Sequence, residues 1–198
     1  EQIGVAIRSI QAICVTHEHE DHRSGLGVLQ RRRGIALYAN AATADGVDRA
    51  SSSGRLAWNI FLTGEPFQIG ELRLEPFTVP HDSYDPVGFV ISDGLSRVGV
   101  VTDMGMATSL IRQRLRDCEA IVVECNHDED LLKQSSRPWS LKQRIMSRQG
   151  HLSNGQAAEL IASIAGPRLK TVFLAHLSPE CNRPPLAVRC VERALAGA

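Results

Sequence analysis

The stretch ICVTHEHEDHRSG (residues 13–25) decides how this sequence is interpreted. Residues 10–16 are apolar and partly β-branched, which predicts a buried strand. That strand leads directly into the hexapeptide HEHEDH, which holds three of the chain's seven histidines beside three carboxylates. Because side chains alternate along an extended loop, His17 and His19 can point to the same side. A solvated polar loop is the plain alternative, but the length of the motif favours a metal site.

The second half of the hexapeptide adds another pair of candidate ligands. Asp21 and His22 are adjacent and begin the helix that we predict over residues 21–33, which has Leu26, Val28 and Leu29 as its apolar face. Two ligand pairs can serve two metal ions. The mixed nitrogen and oxygen set suits zinc, manganese or iron, and it argues against calcium or magnesium alone.

Bulk composition limits the other possibilities. A length of 198 residues suits one domain, residues 1–198. Lys+Arg and Asp+Glu both total 22, a balance that does not indicate nucleic-acid binding and does not exclude a local basic patch. Five cysteines form no CxxC pair, so we expect buried thiols in a reducing cytoplasm. Without an apolar run of about 18 residues, no membrane partner is expected.

Strands and helices alternate along the rest of the chain, which predicts a layered α/β domain. Glycine-containing turns indicate two hairpins, and a capping box and a proline pair mark two helix starts. The predicted elements are a hairpin in FQIGELRLEPFTV turning at Gly70, a hairpin from VGFVIS to SRVGVVTD, a helix over 106–116, a buried strand AIVVEC, a helix opened by Ser153 and Gln156, a buried strand KTVFLAHLS, and a helix opened by Pro184 and Pro185 with Leu186, Val188, Val191 and Leu195 inside.

Polar groups fall at, or just past, the C-terminal ends of predicted strands. In layered α/β folds that edge is where functional sites are built. The residues concerned are His17, His81, Asp103, Glu124 and His176.

The motif HxHxDH after a buried strand resembles the signature of the metallo-β-lactamase superfamily. VPHDS, VVTDMG and FLAHLS then follow in that superfamily's order. The resemblance implies an αββα sandwich that binds two divalent ions, zinc or manganese. It implies that one ion is held by His17, His19 and His81, that the other is held by Asp21, His22 and His176, and that Asp103 bridges them.

Narrower motifs point to a branch of that superfamily. VECNHD, GHLSNGQAAELIA and LAHLSPECN resemble the YycJ or WalJ type, whose described activity is that of a DNA exonuclease. The same motifs are similar to tRNase Z and to cyclic phosphodiesterases. The resemblance implies hydrolysis of phosphodiesters, with a nucleic acid or another phosphodiester as substrate. Two ions would lower the pKa of a bridging water, which attacks as hydroxide, and would clamp phosphate oxygens.

Several residues receive roles within that chemistry. Asp21 can orient the attacking water as well as bind metal, and His151 is the candidate donor of a proton to the departing oxygen. We expect Glu124 to orient either His151 or His127. His127 is expected to contact substrate phosphate, with a supporting hydrogen bond as the alternative, and Asn154 is a further candidate substrate contact. Asp82 is a candidate partner of His81.

A basic segment precedes His151. Residues 131–158 contain no acidic side chain. A solvated basic helix is the ordinary interpretation, and contact with a phosphate backbone is the functional one. Trp139 lies within the segment and fits either base stacking or the core. The basic residues are Lys133, Arg137, Lys142, Arg144 and Arg148.

Two other functions remain open at this point: a thioester or lactone hydrolase of the glyoxalase II kind, and a non-catalytic regulatory protein stabilised by metal. The superfamily places two or three strands before its HxHxDH loop, whereas sixteen residues precede His17 here. We therefore expect the sequence to be a fragment that lacks its first strands, with roughly 40–70 residues upstream. Those strands would cover apolar edges that otherwise invite aggregation.

Overall fold

The computed structural model describes residues 4–51 and 54–197. Its first half is a three-stranded parallel sheet in the order β1-β2-β3, with helices in the connections. After a short 3₁₀ turn at Ile7–Ser9, the elements are β1 (Ala12–Cys14), α1 (Glu20–Arg23), α2 (Leu26–Arg33), β2 (Ala36–Ala39), α3 (Ala41–Ala50) and β3 (Trp58–Ile60).

The second half is a six-stranded sheet whose strands lie in sequence order. Strands β4 to β7 pair antiparallel, and β7, β8 and β9 pair parallel. The elements are β4 (Phe67–Ile69), β5 (Leu72–Thr78), β6 (Val87–Ser92), β7 (Arg97–Val101), α4 (Ser109–Leu115), β8 (Ala120–Glu124), α5 (Glu129–Gln134), α6 (Trp139–Ile145), α7 (Asn154–Ile164), β9 (Thr171–Ala175) and α8 (Pro184–Ala196).

Three apolar clusters show how the layers stack. Leu26 and Val47 from α2 and α3 pack with Leu37 on the outer face of the three-stranded sheet. A cluster that includes Phe61 and Phe89 fills the space between the two sheets. The largest cluster joins the far face of the six-stranded sheet to α4, α7 and α8. The order helix, sheet, sheet, helix confirms the predicted αββα sandwich.

Turn and cap chemistry predicted the local structure well. Both hairpins form, and Gly70 and Gly94 in their turns take positive φ angles of 57° and 91°. The capping box also forms, because the Ser153 side chain accepts from the Gln156 amide and the Gln156 side chain accepts from the Ser153 amide. Pro138 lies between α5 and α6 and is the N-cap residue of α6.

The single helix predicted over residues 21–33 is wrong, because the chain forms two. Gly25 has a φ of 90°, which no right-handed helix contains, and its carbonyl accepts from Val28 and Leu29 to start α2. Val28, assigned to the apolar face, is 49% exposed. The break leaves Asp21 and His22 in a separate single turn that follows the metal-motif loop.

Two predicted burial patterns also need correction. Strand β9 is the edge of its sheet, so it is only half-buried and Phe173 is exposed. On α8, the buried positions are Ala187 and Val191, whereas Val188 and Leu195 face outward. Val191 was predicted correctly, whereas the buried Ala187 was not among the predicted residues. Within the described ranges, no helix has both the length and the apolar character needed to cross a membrane.

Candidate metal centre and active site

Segments that follow strand ends bring the predicted ligands together at one edge of the sandwich. His17 follows β1, and Asp103 and His176 follow β7 and β9. His81 follows β5, and Glu124 is the last residue of β8. The parallel register of β8 and β9 pairs Glu124 with Ala175, which sets His176 beside that carboxylate.

The first ligand cluster consists of His17, His19 and His81, whose candidate ligand atoms all lie within 4.8 Å of one another. His81 Nε2 is 3.2 Å from His19 Nδ1. His81 Nδ1 donates to the Gly150 carbonyl at 3.1 Å, because a carbonyl can only accept. This bond fixes the tautomer of His81 and leaves Nε2 available as a ligand.

The second cluster consists of Asp21, His22 and His176, whose candidate ligand atoms also lie within 4.8 Å of one another. Asp21 Oδ2 lies 3.5 Å from His22 Nε2 and 3.5 Å from His176 Nε2. The Asp21 side chain is 63% exposed, so this cluster opens toward solvent.

Asp103 lies between the two clusters. Its Oδ2 is 3.2 Å from His22 Nε2, and its Oδ1 is 3.4 Å from His176 Nε2 and 4.0 Å from His81 Nε2. Its backbone is left-handed, with a φ of 57°, and it shares this conformation with His176 at 53°. The carboxylate therefore faces ligands of both clusters, as a bridging ligand must.

The donor atoms fit divalent ions. His17 Nε2 and Asp103 Oδ2 are buried and make no hydrogen bond within the described chain, although Oδ2 lies close to His22. Such unpaired buried atoms are costly unless something satisfies them. A cation between the imidazoles and the carboxylate would satisfy both. The nitrogen and oxygen donors suit zinc or manganese.

The electrostatics of the first cluster also favour a metal. Burial, reinforced by the neighbouring His22, lowers the pKa of His17 to about 3, so its ring is neutral at ordinary pH. Burial works against ionisation of Asp103, but the close contact with His22 and the His176 charge outweigh it and lower the Asp103 pKa. Neutral imidazole and ionised carboxylate are the forms that bind metal.

Glu124 connects the second cluster to His151. It is fully buried, and its Oε1 accepts from His151 Nδ1 at 2.7 Å and from His176 Nδ1 at 2.9 Å. Its Oε2 accepts from the backbone amides of Met104 and Leu152 at 3.0 and 3.3 Å. These bonds hold the carboxylate rigid. Of the two expected partners, Glu124 hydrogen-bonds His151 and makes no hydrogen bond to His127 in the described structure.

The charge on Glu124 acts strongly on His176. Burial alone would lower the pKa of His176, but the Glu124 hydrogen bond and the Asp103 charge raise it to about 9. Burial likewise opposes ionisation of Glu124, yet the hydrogen bonds from His151 and His176 lower its pKa. The two residues therefore form an ion pair in which Glu124 is buried and His176 is partly exposed.

His151 stands between the two clusters. Its ring centroid is 5.1 Å from that of His81 and 5.3 Å from that of His176. The preceding Gly150 makes this approach possible, because a Cβ there would lie 2.2 Å from the carbonyl oxygens of Arg144 and Ile145. Any side chain at position 150 would displace the loop that carries His151.

A cleft of about 340 Å³ opens beside the metal ligands. Of the five basic residues in the segment, Arg137 and Arg144 line it, and they do so beside Asp21, Asp82, Asn126, His151 and His176. Arg144 pairs with Asp82, and Arg137 Nε is 2.9 Å from Glu180. Asp82 also lies 3.5 Å from His81 Nε2, in agreement with its predicted pairing.

The other basic side chains of the segment, Lys133, Lys142 and Arg148, do not line the cleft. Lys142 is buried, and its ammonium donates to the carbonyls of Lys133 and Ser135. Arg148 contacts the sulfur of Met106. Trp139 is 62% exposed and does not line the cleft, so the core interpretation of Trp139 is wrong.

Two predicted substrate contacts fall in the interior. Asn154 is 4% exposed and exchanges hydrogen bonds with the amide of Asn182 at 2.8 and 3.0 Å, so its expected role as a substrate contact is corrected to a structural one. His127 is 2% exposed, and burial lowers its pKa. Burial argues against direct phosphate contact by His127.

Two supporting residues were missed. Thr16 Oγ1 lies 3.1 Å from both His17 Nδ1 and His22 Nδ1, so one hydroxyl touches a ligand from each cluster. Asn126 donates to the His176 carbonyl at 3.1 Å and holds that strained residue. Asn126 belongs to the VECNHD motif, and Thr16 directly precedes the first ligand. Adjacency to the motifs was the available signal.

Comparisons with known proteins agree with this geometry. Residues 3–176 match the family model of the beta-lactamase superfamily domain. The chain is 33% identical to the exodeoxyribonuclease YycJ of Bacillus anthracis, over 98% of this chain and 74% of that protein. It is 35% identical to the exodeoxyribonuclease WalJ of Streptococcus pneumoniae, over 96% and 71%.

Solved structures show the same fold at lower sequence identity. The metallo-beta-lactamase fold protein YhfI from Bacillus subtilis superposes with a TM-score of 0.75 at 15% identity, covering 98% of this chain and 75% of that one. The short form of human tRNase Z superposes with a TM-score of 0.61 at 14% identity, covering 89% and 76%. The chain belongs to the beta-lactamase superfamily, within which it resembles the YycJ and WalJ proteins over almost its whole length.

Proposed function

We propose that this protein is a binuclear metal-dependent phosphodiesterase that acts as a DNA exonuclease. A hydrolase of this superfamily needs metal ligands, a proton donor and a means to recognise its substrate. The observation that carries the proposal is Glu124, because one buried oxygen holds both the metal-ligand candidate His176 and the acid candidate His151. The names of YycJ and WalJ support DNA as the substrate.

The seven ligand candidates divide the work of holding two ions. When bound, the ions would supply an activated water and neutralise phosphate charge. Asp21 is exposed at the cleft, where it can orient that water as well as bind. The proposed assignment is His17, His19 and His81 for one ion, Asp21, His22 and His176 for the other, and Asp103 for both.

His151 is the proposed proton donor. Its Nδ1 is engaged by Glu124, so Nε2 is the nitrogen left to protonate the departing oxygen. Glu124 fixes the ring orientation and the tautomer, and the Gly150 loop fixes the backbone. The donor is therefore positioned before substrate arrives, which is what makes general-acid catalysis effective.

Arg137 and Arg144 support an anionic substrate. Both line the cleft, and each guanidinium presents several donors to phosphate oxygens. Their present carboxylate partners, Glu180 and Asp82, would have to share them with the substrate. Neither a thioester nor a lactone hydrolase has an obvious use for two arginines at this place.

The test is hydrolysis by the manganese- or zinc-loaded chain. Substrates are single- and double-stranded DNA, RNA, bis(p-nitrophenyl) phosphate and a thioester, with Asp103→Asn as the inactive control. We expect stepwise release of nucleotides from DNA ends. Internal cuts would contradict the exonuclease assignment, and hydrolysis of the thioester alone would contradict the phosphodiesterase assignment.

A further inference from the structure

We propose that Tyr84 and Arg49 form a platform that stacks one base of a single-stranded nucleic acid beside the metal centre. The inference rests on the proposed function and deepens it by naming a second substrate contact region. The platform lies in a depression of about 620 Å³ that is separate from the arginine-lined cleft. The depression is lined by Glu18, Gly46, Arg49, Ala50, Asp82, Ser83 and Tyr84.

The platform is an exposed aromatic ring with a cation beside it. Tyr84 is 65% exposed, although most rings of this size are more deeply covered. The Arg49 guanidinium carbon lies 6.0 Å from the centre of the ring. The Arg49 side chain is itself 70% exposed, and its ion pair with Asp45 is long, at 3.6 Å. Exposed aromatic and arginine planes are the usual surfaces on which unpaired bases stack.

The metal-motif loop holds the platform in place. The Tyr84 amide donates to Glu18 Oε1 at 3.1 Å, and Glu18 lies between the ligand candidates His17 and His19. Gly46 of α3 allows this packing, since a Cβ there would lie 2.8 Å from Glu18 and 3.0 Å from the Tyr84 ring. A ring on an exposed loop gains rigidity from these contacts, which lowers the entropy cost of stacking.

The depression also contains polar atoms without partners. Glu18 Oε2 and Ser83 Oγ are both buried, and neither makes a hydrogen bond within residues 4–51 and 54–197. Both residues line the same depression as Tyr84. A carboxylate oxygen accepts and a hydroxyl both donates and accepts, so they can satisfy the edge of a stacked base, which carries both kinds of group.

The position relative to the metal ligands defines the path of the strand. Asp82 lines both the depression and the cleft, and it lies 3.5 Å from His81 Nε2. The two cavities therefore share Asp82 as a wall, beside the ligand candidate His81. A strand whose scissile phosphate lies at the centre has one nucleotide on each side. The cleft takes one of them, and the platform takes the other.

The experiment compares two substrates in the metal-loaded protein. The ratio of kcat/KM for a single-stranded oligodeoxynucleotide to kcat/KM for bis(p-nitrophenyl) phosphate is measured. We expect Tyr84→Ala to lower this ratio by roughly 5- to 100-fold, the range that follows loss of one base–aromatic stack. Tyr84→Phe keeps the ring and should keep the ratio. Arg49→Ala should lower the ratio by a smaller factor, because the ring remains.

Matched control variants distinguish loss of base stacking from a general loss of activity caused by removing any exposed side chain. Phe173→Ala removes a ring of similar exposure from the edge strand, and Arg189→Ala removes an exposed helical arginine, so both should keep the parent's ratio. Equal losses on both substrates in Tyr84→Ala, or no change in the ratio, would overturn the platform alone. A parent protein that hydrolyses neither substrate would overturn the proposed function and the platform with it.

Discussion

The two clusters of candidate metal ligands differ in burial and in proton affinity. In the first cluster, His17 and His81 are 0% and 4% exposed, and burial lowers the pKa of both. In the second, Asp21 is largely exposed, and Glu124 and Asp103 overcome burial to raise the pKa of His176 to about 9. The first cluster presents these two rings already deprotonated, whereas the second must release a proton from His176 before it can bind.

From this difference we predict that one of the two proposed metal positions holds its ion permanently and that the other exchanges it. We expect the buried cluster to hold its ion more tightly. The open cluster faces the cleft, where a substrate phosphate can join the coordination sphere. Glu124 hydrogen-bonds both His176 of this open cluster and His151, so we expect occupancy of the second metal position to be coupled to the placement of the proposed proton donor.

Removal of Asp103 should have the largest effect. Its oxygens lie 3.2 and 3.4 Å from the second cluster's histidines but 4.0 Å from His81 of the first. We therefore expect Asp103→Ala to lose one ion, from the second cluster, and nearly all activity. The metal content measured by elemental analysis should fall from two ions per chain to about one, because the variant lacks the ligand that the two ions share. Asp117→Ala, at an exposed aspartate, is the control. Full loading of the Asp103 variant would show that the carboxylate does not bridge.

His151→Ala tests whether His151, which lies between the two clusters, is a metal ligand of either one. We expect both ions to remain and turnover to fall by about 10²-fold or more, the scale of a positioned general acid. An unactivated phosphodiester should suffer more than a nitrophenyl ester, whose leaving group needs no proton. Equal losses on the two substrates would remove the acid role.

Glu124→Gln sharpens the same comparison, because Glu124 contacts both His151 and His176. Alone, this variant should lose activity and weaken the second ion. In the His151→Ala background, the metal effect should persist while most of the catalytic effect disappears, since the two residues act as one unit. Additive losses in turnover would contradict that coupling. Glu159→Gln, at an exposed helical glutamate, is the matched control.

The pH dependence of metal affinity should separate the clusters directly. His176 is protonated below about 9, so each pH unit below that value should weaken the second ion about tenfold, down to about pH 7. His17 stays neutral above about 3 and adds no such loss to the first ion. Titration of metal-free protein with manganese, at about pH 7 and about pH 9, measures the affinity of each of the two ions. Parallel weakening of the two sites would show that their protonation does not differ.

Thr16→Val should have the smallest effect and should act on both clusters. Its hydroxyl lies 3.1 Å from Nδ1 of one histidine in each cluster, and valine preserves the shape but not the hydrogen bonds. Loss of a hydrogen bond behind a metal ligand weakens metal binding by roughly tenfold or somewhat more. Competition with a chelator should show similar shifts at both sites. A shift confined to one site would mean that only one of the two contacts matters.

The candidate ligands named from the sequence lie close together in the structure, whereas some of the helices and burial patterns around them were wrong. Ligand positions follow strand ends, and strands that end beside turn-forming residues are visible in a sequence. The hydrogen bond from His176 to Glu124 was not visible, because it joins residues far apart in the chain and depends on the register that pairs Glu124 with Ala175. Spacing within a motif carries no information about that register.

The wrong assignments share a physical cause. Asn154 looked available because it is polar and close to His151, yet it begins a helix and its side chain is buried against Asn182. Leu26, Val28 and Leu29 suggested one continuous helix, but Gly25 adopts a left-handed conformation and divides it. In both cases tertiary packing and backbone conformation overrode a local pattern.

The left-handed backbones of Asp103 and His176 carry a lesson for directed evolution. Both residues leave their strands at φ angles near 55°, a region that costs side chains other than glycine about 1 kcal/mol or more. Glycine would relieve that strain at either position and remove a ligand at the same time. A library selected only for thermal resistance would therefore enrich inactive variants at these two positions, so any stabilised version of this enzyme should be screened for turnover in the same round.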